Sequence, residues 1–357
     1  MENYAEEVLP VTAALPEMKR GMSERKVRNL THKFTLEESK QSITSIKFDP
    51  GNKYMAAGLC DGSIEIYNLF TGELSYELNK PDEQDMFSTF LEIRYPITSM
   101  RWRPQRGLSK TQNMLVTGGA DGYVKYWHTT SGKLIHSFKE EGNGIYCIDY
   151  NYDGTRLVTG GVDKKIRLYD DAAKDIIHTF QDNSEDYLAH YNRIFCVKFD
   201  PIDDRLIYSG GWDNMINVND TREKGPVSQI IGPYLSGDTL DVYKTQLLVG
   251  NYNTENPLEV YDLRKLERLK SIEWKTEEGK EGGKVLGAMF SKSDADAIIA
   301  CGSVGNEFKI FDSSTENVIA SVTGGKKPIY SIDVSESNSL IAFGTSDCLI
   351  NVLEYNN

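Results

Sequence analysis

The chain has little of what anchors, staples or catalyses. Its 357 residues hold five cysteines, Cys60, Cys147, Cys196, Cys301 and Cys348, with no CxxC pair. All five fall inside or beside expected strands, so they read as reduced, buried thiols of a cytoplasmic protein rather than a disulfide framework. No apolar run approaches the ~20 residues that a membrane-spanning helix needs. The first residues, MENYAEEVLPVTAALPEMKR, lack a basic stretch followed by an apolar one, so no signal peptide is expected. Cations are short: 40 Lys and Arg stand against 53 Asp and Glu, a net charge of −13. Broad binding to nucleic acid or to an anionic membrane needs a basic footprint, and both are excluded as partners.

Chemistry is scarce too. The five histidines, His32, His128, His136, His178 and His190, show no metal-ligand spacing. His136 and His178 recur at one place in consecutive repeats, which points to a structural role. The Gly-Lys stretch EEGKEGGK at 277–284 lacks the P-loop pattern and a preceding strand, and no GxSxG elbow occurs. The carboxylates are spread over turns. No catalytic residue, cofactor or metal is expected, and the chain reads as a non-enzyme.

What is present is repetition. Residues 114–138, MLVTGGADGYVKYWHTTSGKLIHSF, return at 156–180 as RLVTGGVDKKIRLYDDAAKDIIHTF. Each copy has an aliphatic run ending in Thr-Gly-Gly, a lone Asp, a period-2 strand ending at an aromatic, and a last strand ending Ile-His-Ser/Thr-Phe. Strand-opening apolar positions recur at Ile43, Ile97, Ile145, Ile194, Thr239 (with Leu240), Val285 and Ile329. In five units an Asp stands six residues before a fixed dipeptide, as with Asp61 and Tyr67-Asn68 or Asp121 and Trp127-His128. Gly305 replaces the Asp in the sixth unit, and the fifth carries the insertion NYNTENP. Self-similarity at this period, with four short strands per unit, predicts an all-β, seven-bladed propeller of four-stranded antiparallel blades. The Gly pair is expected to permit a sharp turn, and the Asp to accept backbone N–H groups within it.

The seventh unit has only three strands, so the segment 33–39 is expected to supply its outer strand and close the ring. This divides the chain into an arm, 1–32, and a propeller, 33–357. The arm turns basic at Lys19, Arg20, Arg25, Lys26 and Arg28. It reads either as a solvated terminus, as a docking arm for an acidic partner, or as a segment lying back on its own acidic propeller.

The fixed Asp-to-dipeptide spacing resembles that of the WD-repeat β-propeller family across 33–357. The repeats are degenerate, and the Trp-Asp pair is nowhere intact. The family's buried tetrad joins a His, a strand Ser/Thr, the turn Asp and the Trp. Here the fourth unit offers His190, Ser209 and Asp213 with Asn219 in place of Trp, and the second offers Thr117, Asp121 and Trp127 with Ile93 in place of His.

The resemblance implies that residues beside the first-strand apolar position, and the one before the turn Asp, face partners at the top of the channel. In this chain they include Tyr146, Arg193, Phe195, Trp212, Leu286 and Tyr330; the alternative is that the aromatics merely pack on one another. Acidic loops at 81–85, 181–187 and Glu277-Glu278 are expected to rim them, which suits a basic, apolar peptide or helix. The implied function is a monomeric protein–protein interaction scaffold binding peptide or helical segments and neighbouring subunits of a larger assembly, with a cytoskeletal or ciliary complex as one setting. Asp220-Thr221-Arg222 and Asp262-Leu263-Arg264 also resemble the box of cullin-type ubiquitin-ligase substrate receptors, with Arg222 and Arg264 as adaptor contacts. A third possibility is an enzyme with a site at the channel mouth.

Overall fold

A lone four-stranded unit has two apolar faces and nothing to cover them, so such units are stable only when stacked. The computed structural model describes residues 18–20, 29–37, 39, 41–79, 94–105, 113–275, 282–292, 295–323, 325–337 and 339–356. They form seven antiparallel sheets, each running outward from the channel in chain order except that the outermost strands of blades 6 and 7 come from the N-terminal part of the chain. The inner strands of blades 1 to 7 are Ile43–Phe48, Ile97–Trp102, Ile145–Tyr150, Ile194–Phe199, Leu240–Tyr243, Gly283–Phe290 and Ile329–Val334. Among the described residues the only helical turn is Thr129–Ser131.

The second strands, such as Met114–Gly119 and Arg156–Gly161, lie between neighbouring blades and are buried over most of their length. That burial on both faces explains their continuous aliphatic sequence. Each junction has its own apolar cluster. Between blades 1 and 2, for example, Ile64, Ile66 and Leu78 pack on Ile97, Met100 and Trp102. The last junction joins Leu340, Ile350 and Val352 of blade 7 to Ile43, Ile46 and Met55 of blade 1.

The ring closes as expected: Asn29–Leu36 pairs antiparallel with Ile350–Asn356, from Asn29↔Asn356 to Leu36↔Ile350. Pairing begins at Asn29, four positions before the anticipated edge of the propeller. Upstream, Met18–Arg20 pairs with Ala320–Val322 and adds a fifth strand to blade 6, so this piece of the arm does lie back on the propeller. Arg25, Lys26 and Arg28 lie outside the described residues.

The turn chemistry is half as expected. Asp61, Asp121 and Asp163 each accept the N–H two residues on, at 3.0, 3.1 and 3.2 Å. The left-handed residue in these turns, however, is the one after the Asp: Gly62, Gly122 and Lys164 have φ of 84°, 83° and 70°. The glycines that end the second strands are not left-handed. The first glycine of each pair is small because the next blade arrives there: a Cβ on Gly118 would sit 2.7 Å from Ile145 Cγ2, and one on the lone Gly344 2.4 Å from Ile43 Cγ2. The second lies against its own blade, a Cβ on Gly161 meeting the Gly144 carbonyl at 2.1 Å and one on Gly211 that of Arg193 at 1.9 Å.

Inner strands carry a β-bulge at their first turn of pairing in every blade but the fifth: after Ile43, Ile97, Ile145, Ile194, Val285 and Ile329. Blade 5 is set differently. Its pairs Leu240↔Val249 and Asp241↔Leu248 match Val197↔Ser209 and Lys198↔Tyr208 of blade 4. Thr239 therefore matches Cys196, not the opening Ile194, and the opening position is Gly237. The residue at the bulge position is Asp238.

Asp238 enters the channel. Its carboxylate accepts Lys47 Nζ at 2.8 Å and Arg101 Nη2 at 3.0 Å, with Lys198 Nζ 3.8 Å away. One carboxylate of blade 5 thus binds cations from blades 1, 2 and 4. Burial alone would raise its pKa, but Arg101, Lys198 and Lys47 hold it well below the usual carboxylate range. Neighbouring inner strands are further tied by carboxylates across junctions: Asp149 accepts Phe199 N–H at 2.9 Å, Asp241 accepts Phe290 N–H at 2.8 Å, and Asp333 accepts Phe48 N–H at 2.7 Å.

Two stability outcomes follow from these contacts. Asp238→Asn leaves three cations facing one another and should cost roughly 3 kcal/mol in denaturant unfolding at pH 7, the low end for a broken buried pair because the side chain keeps 29% exposure. The lowered folded pKa means this contribution is present above the unfolded carboxylate's value and is lost as pH falls through the folded one. The gap between wild type and variant should therefore narrow below about pH 4, and a gap unchanged down to pH 2 would contradict this role. Gly118→Ala should cost about 1–3 kcal/mol by overpacking against Ile145 and Ile148. A neutral result in the same unfolding assay would show that the junction can yield.

Candidate functional site

The inner-strand bulges decide what the channel's upper mouth presents. Each releases one residue from the pairing, and on successive blades these are Thr44, Thr98, Tyr146, Phe195, Leu286 and Tyr330. The two threonines turn inward, Thr44 donating to the Ile97 carbonyl and Thr98 to that of Ile145 in the following blade. The aromatics of blades 3 and 4 remain at the mouth. The Tyr146 and Phe195 rings stack at 4.8 Å and 10°, and Phe195 meets Trp212 at 4.8 Å. Trp212 in turn stacks on Tyr234 at 6.0 Å and 10°. Arg193 places its guanidinium 5.7 Å from the Trp212 ring.

Four of the expected residues, Tyr146, Arg193, Phe195 and Trp212, are thus brought together as one half-exposed ladder. Leu286 and Tyr330 occupy the same bulge position on blades 6 and 7 but join none of the stacked rings; Tyr330 is 42% exposed. The sequence reading missed Tyr234, which lies in the loop Gly232–Ser236 between blades 4 and 5. The only signal for it was its place before an opening position that had been set two residues late.

The ladder has unspent capacity. Trp212 Nε1 is buried without a hydrogen-bond partner. Among the described residues no carboxylate lies within salt-bridge reach of Arg193, whose surroundings are aromatic. The expected acidic rim is not gathered here. The loop 181–187 is laid along the outer side of blade 4: the Leu188 carbonyl accepts Gln229 and Asn217, and Gly225 has no room for a Cβ beside the Asp182 carbonyl. The loops at 81–85 and 277–278 lie outside the described residues.

The lower mouth is a funnel of about 780 Å³ lined by Lys47, Arg101, Lys198, Asp241 and Asp333 among others. Its charges are largely committed to one another, as Asp238, Asp149 and Asp333 show, which leaves less for a ligand than the ladder has. Among the described residues no His, Cys, Asp or Glu cluster could hold a metal ion. All five thiols are free; Cys147, Cys196 and Cys301 are buried, and burial pushes Cys196 up to about 12.

Arg222 and Arg264 are 64% and 70% exposed at their side chains. Each folds back on the Asp two residues before it, with Nη2 at 2.6 Å, and neither reaches a neighbouring blade. Arg205 makes the same fork with Asp203 in a different turn, so the fork is a local device that holds these carboxyls low, Asp203 and Asp262 at about 2.

Under the ladder the polar framework varies by blade. In blade 4 His190 Nδ1 lies 2.6 Å from Asp213 Oδ2, and Nε2 lies 2.9 Å from Ser209 Oγ. Asn219 completes the set by donating to Ser209 Oγ at 3.2 Å, so the tetrad is whole despite the missing indole. In blade 2 Trp127 Nε1 donates to Thr117 Oγ1 at 3.1 Å. Blade 3 instead centres on Glu140, which accepts from Thr159, Tyr169 and Arg167.

Comparison with known proteins agrees with this geometry. The family model described as WD domain, G-beta repeat matches residues 30–68, 92–128, 132–170 and 178–220. These spans run from the closing strand to the third strand of blade 4, leaving out the outer strands of blades 1 and 4, and each match ends on a third strand. The chain is also similar to a guanine nucleotide-binding protein subunit beta-like protein of Encephalitozoon cuniculi (strain GB-M1), 25% identical over 243 residues. That match covers 68% of this chain and 62% of the other. With four repeats matched, seven blades in a closed ring and an inner-strand bulge in six of them, the chain belongs to the WD-repeat β-propeller family.

Proposed function

We propose that the protein is a non-enzymatic scaffold that holds another protein's segment on the aromatic ladder of blades 3 and 4, within a larger assembly. Propellers of this family serve as protein-interaction scaffolds, and the observation that carries the reading is the part-exposed stack of Tyr146, Phe195, Trp212 and Tyr234 with the Arg193 guanidinium beside it. Apolar side chains of that segment would lie on Tyr146 and Phe195, and an acidic group would meet Arg193. This reverses the charge first expected for the partner, because the described acidic loop packs on blade 4's outer side. Aromatic and arginine side chains are those that dominate interface energetics. The basic arm around Lys19 and Arg20 would serve as a second contact.

Affinity purification of wild type beside Tyr146→Ala/Phe195→Ala/Trp212→Ala and a deletion of residues 1–28 tests this, with circular dichroism confirming the fold. The deletion spares the closing strand at Asn29–Leu36. The triple variant should lose the main partner at least tenfold in recovered amount. A partner set unchanged in the triple variant but lost on deletion would move the function to the arm.

A second reading, a ubiquitin-ligase substrate receptor, rests on the matched exposure of Arg222 and Arg264. Arg222→Glu/Arg264→Glu should leave the partner set intact if the ladder is the working surface. Selective loss of one ligase adaptor would favour the receptor instead.

A further inference from the structure

The outer edges of the blades differ sharply in what they expose. Outer strands end their sheets, so each presents unpaired backbone N–H and C=O groups unless something is added. On blade 6 something is: Met18–Arg20 pairs along Val318–Val322, whose residues are half-buried or buried. On blade 2 the outer strand Lys133–Lys139 has, among the described residues, no fifth strand, and six of its seven residues are exposed. Leu134 and Ile135 stand out at 47% and 57%. Both belong to the bulge that each outer strand carries, here between Leu134 and His136.

Other edges are guarded. The outer strand of blade 5 carries Glu267, Arg268 and Lys270, that of blade 4 starts at Pro226, and that of blade 1 holds Glu77. Blade 2's strand, KLIHSFK, has charges only at its ends, and both are lysines. Lys139 and Lys125 also flank the Tyr123 ring at 5.6 and 5.7 Å. The carboxylate next to Lys139 in sequence, Glu140, is buried and bound to Arg167 at 2.8 Å, and the following one, Glu141, is 83% exposed and pairs loosely with Lys139 at 3.7 Å. In a chain of net charge −13, this edge is locally cationic and apolar.

We propose that the outer edge of blade 2 is a docking site for an extended acidic segment of another protein, added antiparallel as a fifth strand. The chain itself supplies the precedent on blade 6. Backbone pairing provides the register, Leu134 and Ile135 take alternate apolar side chains, and Lys133, Lys139 and Lys125 take the carboxylates between them. Blade 3 has a like apolar pair in Ile176 and Ile177, at 53% and 51%, but lacks lysines inside the strand Ile176–Phe180 and so serves as the internal control.

The test is to pan a phage-displayed random dodecapeptide library on the intact protein and measure the enriched peptides by fluorescence anisotropy. Enriched sequences should alternate Asp or Glu with apolar residues. They should bind wild type, Ile176→Glu/Ile177→Glu and the ladder triple variant alike, and lose at least tenfold in affinity for Leu134→Glu/Ile135→Glu. Amide exchange over residues 133–139 should slow on binding. Several results would overturn the proposal: no enrichment over an unrelated protein, enriched peptides without acidic alternation, binding unaffected by Leu134→Glu/Ile135→Glu, or equal loss in the blade 3 variant. A dimer in light scattering that Leu134→Glu/Ile135→Glu dissociates would place a second copy on this edge, and it too would overturn the acidic-segment proposal.

Discussion

Ring closure is the constraint on which everything else here depends. No blade can bury its faces alone, so each interface is useful only if the circle is complete. The chain completes it by pairing Asn29–Leu36 with Ile350–Asn356, putting the two ends of the sequence into one sheet. The junction between blades 7 and 1 is then an ordinary one, with its own apolar cluster and with Ser331 and Asp333 accepting N–H groups of Ile46 and Phe48. Sequence-distant contacts of this kind come late in folding, because a long loop must close before they contribute. The arm's pairing on blade 6 lies directly beside this closure and extends the same staple by one blade.

Inside the ring the chain solves one recurring problem in several ways. Each blade must fix its top turn and its third strand with buried polar groups, and an unsatisfied one is costly. Blade 4 uses His190, Ser209, Asp213 and Asn219; blade 3 uses Glu140; blade 6 uses Glu307, which accepts Trp274 Nε1 at 2.9 Å. Blade 5 uses Glu259, which accepts from Tyr261 and Asn251. These substitutions explain why the family signature fades while the fold does not. The signature is one chemical answer to the requirement, whereas the spacing of apolar residues that builds the junctions is the requirement itself. Blades 5 and 6, and blade 7 apart from its closing strand, lie outside the matched spans, yet their junction clusters are as apolar as those of blades 1 to 4.

That distinction also governs what was legible. The number of blades, the closing strand, the inner-strand positions of Tyr146 and Phe195 and the place of Trp212 before the turn Asp could be read because they are periodic. The purpose of Gly118 or Gly344 could not, since the atom that forbids a Cβ belongs to the next blade. The frame of blade 5 slipped by two because its opening position is Gly237, with no aliphatic residue to mark it. Asp238 was invisible for the same reason: nothing local shows that its partners are Lys47, Arg101 and Lys198, between 40 and 191 positions away. The loop 181–187 was acidic as read, but charge alone does not say which side of a blade a loop lies on.

The same asymmetry separates what the propeller shows outward from what it keeps. Seven similar units could present seven similar mouths and edges, but they do not. At the upper mouth two bulge residues are threonines spent on the next blade, one is a carboxylate drawn into the channel, and the aromatics cluster on blades 3 and 4. At the rim one edge is covered by the chain's own strand, several are charged, and blade 2 is left apolar between lysines. Packing of the ring does not require the aromatics on blades 3 and 4 or the apolar edge of blade 2, because the junctions are formed by other residues on the same strands. A side chain that the junctions do not use, and that nevertheless departs from its counterparts in the other blades, is where contacts beyond the ring are to be sought. By that standard the Trp212 ladder and the Lys133–Lys139 edge are the two places where this propeller departs most from its own repeat.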